Sequence, residues 1–166
     1  MPREHHRVAI FAVSRAPVTR WATRGFAPSA ALDDAPPLEP GVRLTPPGDV
    51  ETWYVGSAEV MLHSGETGHY RDNLRAARPR LWVALKRGGA APALAMATVD
   101  PYEGEALAGD DGLVVEAVDL PPRLADAMRA FIAAHHVERV FEKRKRKAAD
   151  PEALARRGPH GAGPDR

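Results

Sequence analysis

Two short polar segments of the chain carry residue types that can bind a ligand or move a proton. The first is residues 63–73, which come directly after a regular strand pattern, and the second is the pair Tyr102 and Glu103. If the segments meet, the Glu66 carboxylate and these two side chains would form a polar pocket or a general acid–base pair. The helix dipole also favours acidic residues at helix starts, and this is the simpler interpretation of both carboxylates. We therefore predict a binding site without assigning a catalytic residue. The candidate residues are His63, Glu66, Thr67, Tyr70, Asn73, Tyr102 and Glu103.

A metal site within the first segment is a weaker interpretation. His63, Glu66 and His69 are spaced by three, and imidazoles and carboxylates are zinc ligands. However, His63 should end a strand, so the three side chains would not share one helical face. The adjacent His-Glu of the zinc proteases is missing, and the chain has no cysteine. We predict neither a metal site nor a cofactor.

The most distinctive charged feature is a run of five basic residues in a chain whose formal net charge is only +1. It consists of Lys143, Arg144, Lys145, Arg146 and Lys147. Such a run could bind phosphates, an acidic protein surface or anionic lipid, or could be a solvated tail. No aromatic residues are interleaved for base stacking, which argues against specific nucleic-acid recognition.

The elements that must position the first polar segment are a strand, a helix and a second strand within residues 53–87. Alternation from Tyr54 to Leu62 predicts a half-buried strand. Ser64 is placed to cap the following helix, and Pro79 should end it. The apolar run Leu81 to Leu85 has the length of a central strand.

Further elements indicate an α+β fold. Residues 7–16, 81–87, 93–99 and 113–118 are predicted as strands, and residues 21–31 more weakly. Asp100 and Pro101 should begin a short acidic helix, and the stripe Leu124, Met128 and Phe131 predicts an amphipathic C-terminal helix. We expect a single, mostly antiparallel sheet of about five to six strands with a middle helix and the C-terminal helix packed on it.

The domain organisation follows from composition. Residues 1–6 are predicted to be a flexible N-terminus, and residues 7–142 a single α+β domain, in which 28–50 is a proline-rich loop or edge. Residues 143–166 are predicted to be a basic, largely disordered tail. No apolar run reaches the ~20 residues of a membrane span, so a cytoplasmic location is the expectation. The oligomeric state stays open, including self-association through an exposed edge strand.

Several motifs resemble an uncharacterised bacterial family that is encoded beside molybdenum-dependent formate dehydrogenase genes. The motifs are LHSGETGHYRDNL, PRLWVALKR, DPYEGEAL, LVVEAVDLPPRL and FIAAHHVERVFEKRKR, and the resemblance covers about Arg7 to Arg146. It implies a non-catalytic accessory protein for assembly, maturation or regulation of such a molybdoenzyme. The implied partner is a formate dehydrogenase subunit or its maturation chaperone. The alternative is a small-ligand-binding protein or enzyme with a polar pocket around His63, Glu66, Tyr70 and Tyr102.

Overall fold

The computed structural model describes residues 1–137, which form one compact unit up to His136. The strands are β1 Arg3–Arg15, β2 Phe26–Leu32, β3 Val42–Arg43, β4 Val50–His63, β5 Arg80–Lys86, β6 Leu94–Thr98 and β7 Leu113–Asp119. The helices are α1 Thr67–Arg75, α2 Pro101–Ala108 and α3 Pro122–His135, and a 3-10 turn, Ser64–Glu66, precedes α1. No helix among these residues is long and apolar enough to cross a membrane.

The strands form two antiparallel sheets, so the prediction of a single sheet was wrong, although the α+β class is confirmed. One sheet has the order β2-β1-β4-β3 and the other has the order β6-β5-β7. Both edges of β5 are occupied by β6 and β7, and α1 separates β5 from β4 in the chain. The apolar alternation of a strand shows which face is buried but not which strand it pairs with.

The two sheets enclose one core, because β2 packs beside β7 and β4 packs beside β6. Alternating residues of the long strands β1 and β4 point inward, while β5 is buried on both faces. The amphipathic helix α3 covers the core with Leu124, Met128 and Phe131, as its sequence pattern predicts. The core's fully buried large side chains include Val8, Ile10, Val60, Leu62, Leu81, Val83, Leu85, Met128 and Phe131. Burying one such aliphatic side chain contributes about 1.5–3 kcal/mol.

The pairing of β1 with β4 runs from Arg3 opposite His63 to Arg15 opposite Val50. The register shifts between Ile10 and Phe11, where Gly56 adopts a φ of 133°. A side chain at Gly56 would be strained by this φ and would press against Pro40. The glycine therefore allows both this backbone conformation in β4 and the close approach of Pro40.

Element bounds differ from the predicted ones at several places. β1 begins at Arg3, within the stretch predicted to be flexible, and β2 begins later than the pattern suggested. Within 28–50, the described structure contains the end of β2, the two residues of β3 and the first residue of β4. The predicted basic tail, 143–166, lies outside the described residues.

Candidate functional site

The end of β4, the 3-10 turn, α1, β6 and the start of α2 enclose a cleft of about 550 Å³. Four of the seven predicted site residues line it: His63, Glu66, Tyr70 and Glu103. The other lining residues are Met1, Glu59, Met61, Gly65, Met96, Ala97, Thr98 and Asp100. The structure thus brings the two polar segments of the sequence together at one place.

Tyr70 joins α1 to the end of β4. Its side chain is buried, and its hydroxyl oxygen accepts a hydrogen bond from the His63 backbone amide at 3.0 Å. Burial raises the pKa of Tyr70, and the amide hydrogen bond partly opposes that rise. The phenol is therefore neutral at physiological pH and acts at the cleft as a fixed hydrogen-bonding group.

Asp100 directly precedes α2 and directs its two carboxylate oxygens to different partners. Oδ1 accepts hydrogen bonds from the backbone amides of Tyr102 at 2.9 Å and Glu103 at 3.4 Å, which is the geometry of an N-cap. Oδ2 lies 2.7 Å from Nδ1 of His69 on α1. The sequence indicated the capping role of Asp100, but its contact with α1 was missed.

His69 lies between two carboxylates. Its Nδ1 is 2.7 Å from Asp100 Oδ2 and 2.9 Å from Glu66 Oε2. The hydrogen bond with Asp100 raises the pKa of His69, burial opposes that rise, and the nearby charges of Asp100, Glu66 and Asp72 add to it. The imidazole ring also packs against the Tyr102 ring, at 4.5 Å between ring centroids. These contacts fix the position of the ring beside the cleft.

Tyr102 and α2 are positioned by a close approach between α2 and β5. A Cβ atom at Gly104 would overlap the indole of Trp82, so only glycine allows this distance. Tyr102 itself is exposed and does not line the cleft. Its contribution is the ring contact with His69.

Two predicted binding residues, Asn73 and Thr67, form hydrogen bonds that join elements of the fold. Asn73 is buried, donates from Nδ2 to the carbonyls of Arg80 and Val99 at 2.8 Å each, and accepts from the Arg80 amide at 2.9 Å. Thr67 is also buried, donates to the Ser64 carbonyl and contacts His136 Nδ1 at 3.0 Å. Neither lines the cleft. Asn73 joins α1 to the sheet, and Thr67 joins α1 to the end of α3.

The predicted helix cap at Ser64 was wrong. Ser64 begins the 3-10 turn, and the residue that precedes α1 is Glu66, whose side chain makes no capping bond. The Glu66 carboxylate lies beside His69, the third residue of α1, with 2.9 Å between Glu66 Oε2 and His69 Nδ1.

The basic run, Lys143 to Lys147, lies outside the described residues.

The chain matches the model of a family of proteins of unknown function over residues 7–147. The protein belongs to the DUF3305 family. No curated protein and no solved structure matches the chain. The family match includes every cleft-lining residue except Met1.

The cleft of this DUF3305 protein is strongly acidic. Four carboxylates line it, those of Glu59, Glu66, Asp100 and Glu103, and no lysine or arginine is among its described lining residues. Imidazoles lie close to three of these carboxylates: His69 is beside Glu66 and Asp100, and His5 Nδ1 lies 3.0 Å from Glu59 Oε1. Even with one imidazolium in place, the carboxylates are in excess.

A metal ion could be held by a different set of residues from the one that the spacing suggested. One ligand atom each from Glu66, His69 and Asp100 lies within 4.8 Å of the other two. His63 lines the cleft but is not a member of this group. The third ligand atom comes from Asp100, the N-cap residue of α2, which sequence spacing along α1 could not indicate.

Proposed function

We propose that this DUF3305 protein binds a small, positively charged ligand in the cleft between α1, α2 and the end of β4. The observation that carries this proposal is the set of four carboxylates around a cleft whose described lining contains no lysine or arginine. The volume of about 550 Å³ lies within the range of small-ligand sites, which is about 300–1,000 Å³.

The cleft wall supports an electrostatic role for the carboxylates. Met61, Met96 and Tyr70 supply apolar surface beside them. Apolar surroundings lower the local dielectric constant, and a cation–carboxylate attraction is stronger there than at an open surface. Asp100 is nearly buried and is oriented by the amides of α2, so its charge is held in place before a ligand arrives.

The test is a cation panel on metal-stripped protein at low ionic strength, with spermidine, Mg²⁺ and Mn²⁺ as probes. Binding is measured by isothermal titration calorimetry for the native protein and for Glu66→Gln and Glu103→Gln. We expect at least one probe to bind, severalfold more weakly in both variants and more weakly as salt is added. Glu105→Gln is the matched control, because Glu105 is exposed on α2 but outside the cleft.

Two results would overturn the proposal. One is that no cation of the panel binds at low salt. The other is that Glu103→Gln and Glu105→Gln weaken binding equally, which would place the cation on the general acidic surface of α2 rather than in the cleft.

A second proposal is the accessory role that the motif resemblance implies, with a formate dehydrogenase subunit or its chaperone as partner. An exposed loop between β1 and β2 favours protein binding. Val18 and Trp21 are almost fully exposed there, and the Arg20 guanidinium lies 4.4 Å from the Trp21 ring centroid. Tryptophan and arginine are enriched among the residues that dominate protein interfaces.

Size-exclusion chromatography tests that role. This protein is mixed in turn with each purified dehydrogenase subunit and with the chaperone, and each mixture is examined for a complex. A complex that Trp21→Ala weakens and Glu105→Gln leaves unchanged would support it. Absence of any complex with these partners would remove it. The cytoplasmic location stays a prediction from the sequence.

A further inference from the structure

Two spacings among the ligand atoms of Glu66, His69 and Asp100 are close to those of a metal coordination sphere. His69 Nδ1 lies 2.9 Å from Glu66 Oε2 and 2.7 Å from Asp100 Oδ2. In an octahedral site with bonds of about 2.1 Å, neighbouring ligand atoms are about 3 Å apart. These two spacings suit neighbouring ligands of one metal ion, and the ligand atoms of Glu66, His69 and Asp100 all lie within 4.8 Å of one another.

We propose that the cation bound by the cleft is a divalent first-row transition-metal ion, coordinated by Glu66, His69 and Asp100. This inference rests on the proposed cation-binding function and names its ligand class. One imidazole nitrogen with two carboxylate oxygens suits Mn²⁺, Fe²⁺ and Zn²⁺. Three protein ligands leave coordination positions for water or for a molecule in the cleft, which both carboxylates line.

The surroundings of the three ligands provide the support that metal sites require. Asp100 is 8% exposed, and its second oxygen is held by two amides of α2. The His69 ring is held against Tyr102. Partners of this kind orient metal ligands, and their loss commonly weakens metal binding about 10–100-fold.

Coordination and simple charge attraction predict opposite effects for one substitution. His69→Gln removes a metal ligand but removes no negative charge from the cleft. A coordinated metal should bind more weakly to this variant, whereas a cation held only by charge should bind equally well or more tightly. His69 is also partly exposed, so the substitution leaves the core intact.

In the experiment, metal-stripped protein is titrated with Mn²⁺, and the electron paramagnetic resonance signal of the free ion reports how much Mn²⁺ is unbound. Spermidine binding is measured in parallel. We expect one Mn²⁺ per chain and a loss of affinity of roughly tenfold or more in His69→Gln. Spermidine affinity should not fall in that variant. Glu105→Gln should behave as the native protein does.

Asp100→Asn provides a second variant that keeps α2 in place, because the asparagine oxygen can still cap the helix. It should also weaken Mn²⁺ binding roughly tenfold or more. Circular dichroism confirms that both variants are folded.

The outcomes separate this inference from the proposed function. If spermidine or Mg²⁺ binds in a Glu103-dependent manner while His69→Gln leaves Mn²⁺ affinity unchanged, the cleft is a charge-based cation site and the metal assignment is wrong. If no cation binds, both proposals fail. If Mn²⁺ binds at one site and His69→Gln and Asp100→Asn each weaken it, the metal assignment stands.

Discussion

His69 Nδ1 and Asp100 Oδ2 lie 2.7 Å apart although 31 positions separate them in the chain. This contact joins α1 to the start of α2 and fixes the imidazole at the cleft. The same carboxylate caps α2 through its other oxygen. One residue therefore couples the position of a helix to the position of the candidate ligand His69.

The first prediction concerns the protonation of His69 in metal-free protein. Because its hydrogen bond to Asp100 raises the pKa of His69, Asp100→Asn should lower that pKa, as measured by NMR titration in the presence of EDTA. A group with a raised folded pKa stabilises the fold fully below its unfolded value, about 6.5, and loses that contribution as pH rises through the folded value. The stability difference between native protein and His69→Gln should thus be larger at pH 5.5 than at pH 8.5. An equal difference at both values would contradict the hydrogen bond.

The second prediction concerns the buried amide of Asn73. Asn73→Ala would leave the carbonyls of Arg80 and Val99 and the Arg80 amide without their partner. We expect a loss of about 3 kcal/mol in the free energy of unfolding, measured with urea. Asp72→Ala, at the exposed neighbouring position, should change the free energy of unfolding by less than about 0.5 kcal/mol. Similar losses in both variants would contradict the assigned role of Asn73.

The third prediction uses two helical glycines. Gly104→Ala should destabilise the protein by about 1–3 kcal/mol, because its methyl group would overlap Trp82 and displace α2. Gly68→Ala in α1 meets no atom within 4 Å and should stabilise by about 0.5–1 kcal/mol. Thermal unfolding of the two variants gives the comparison. Destabilisation by Gly68→Ala, or none by Gly104→Ala, would show that the two helices are packed differently.

The fourth prediction concerns the hydroxyl of Tyr70. Tyr70→Phe leaves the His63 amide without its acceptor and should cost about 1–2 kcal/mol in the free energy of unfolding. The raised pKa of Tyr70 means that ionisation of this phenol opposes folding above pH 10. The stability of the native protein relative to Tyr70→Phe should therefore fall as pH rises through the folded pKa of Tyr70. Chemical denaturation at pH 8 and pH 11 measures this difference, and a constant difference would argue against burial of the hydroxyl.

Local patterns in the sequence predicted individual elements well. The strand–helix–strand order around α1, the short helix after Asp100 and the amphipathic α3 all form where apolar periodicity or a capping residue placed them. The number of sheets was not predictable in this way, because strand pairing depends on contacts between residues far apart in the chain. The Ser64 cap failed because the chain forms a 3-10 turn before it becomes α-helical.

The sequence predicted only part of the candidate site, because local patterns do not show contacts between residues far apart in the chain. His63, Glu66 and Tyr70 were found because they lie within one polar segment, and Glu103 because it follows a helix start. Thr67 and Asn73 have the same residue types but are used for structural hydrogen bonds, which polarity alone does not reveal. Asp100 was overlooked as a site residue, although its position before Pro101 already showed that it begins a helix.

The long pairing of β1 with β4 has a consequence for the order of folding. β4 must find β1 across the whole intervening segment, which contains β2, β3 and the proline-rich stretch, and such non-local pairing forms slowly. The strands β5, β6 and β7 are nearer to one another in the chain and can pair earlier. The cleft takes residues from both sheets, so it can be complete only after the two have come together. The rate at which cation binding appears during refolding would therefore report the last step of folding rather than the first.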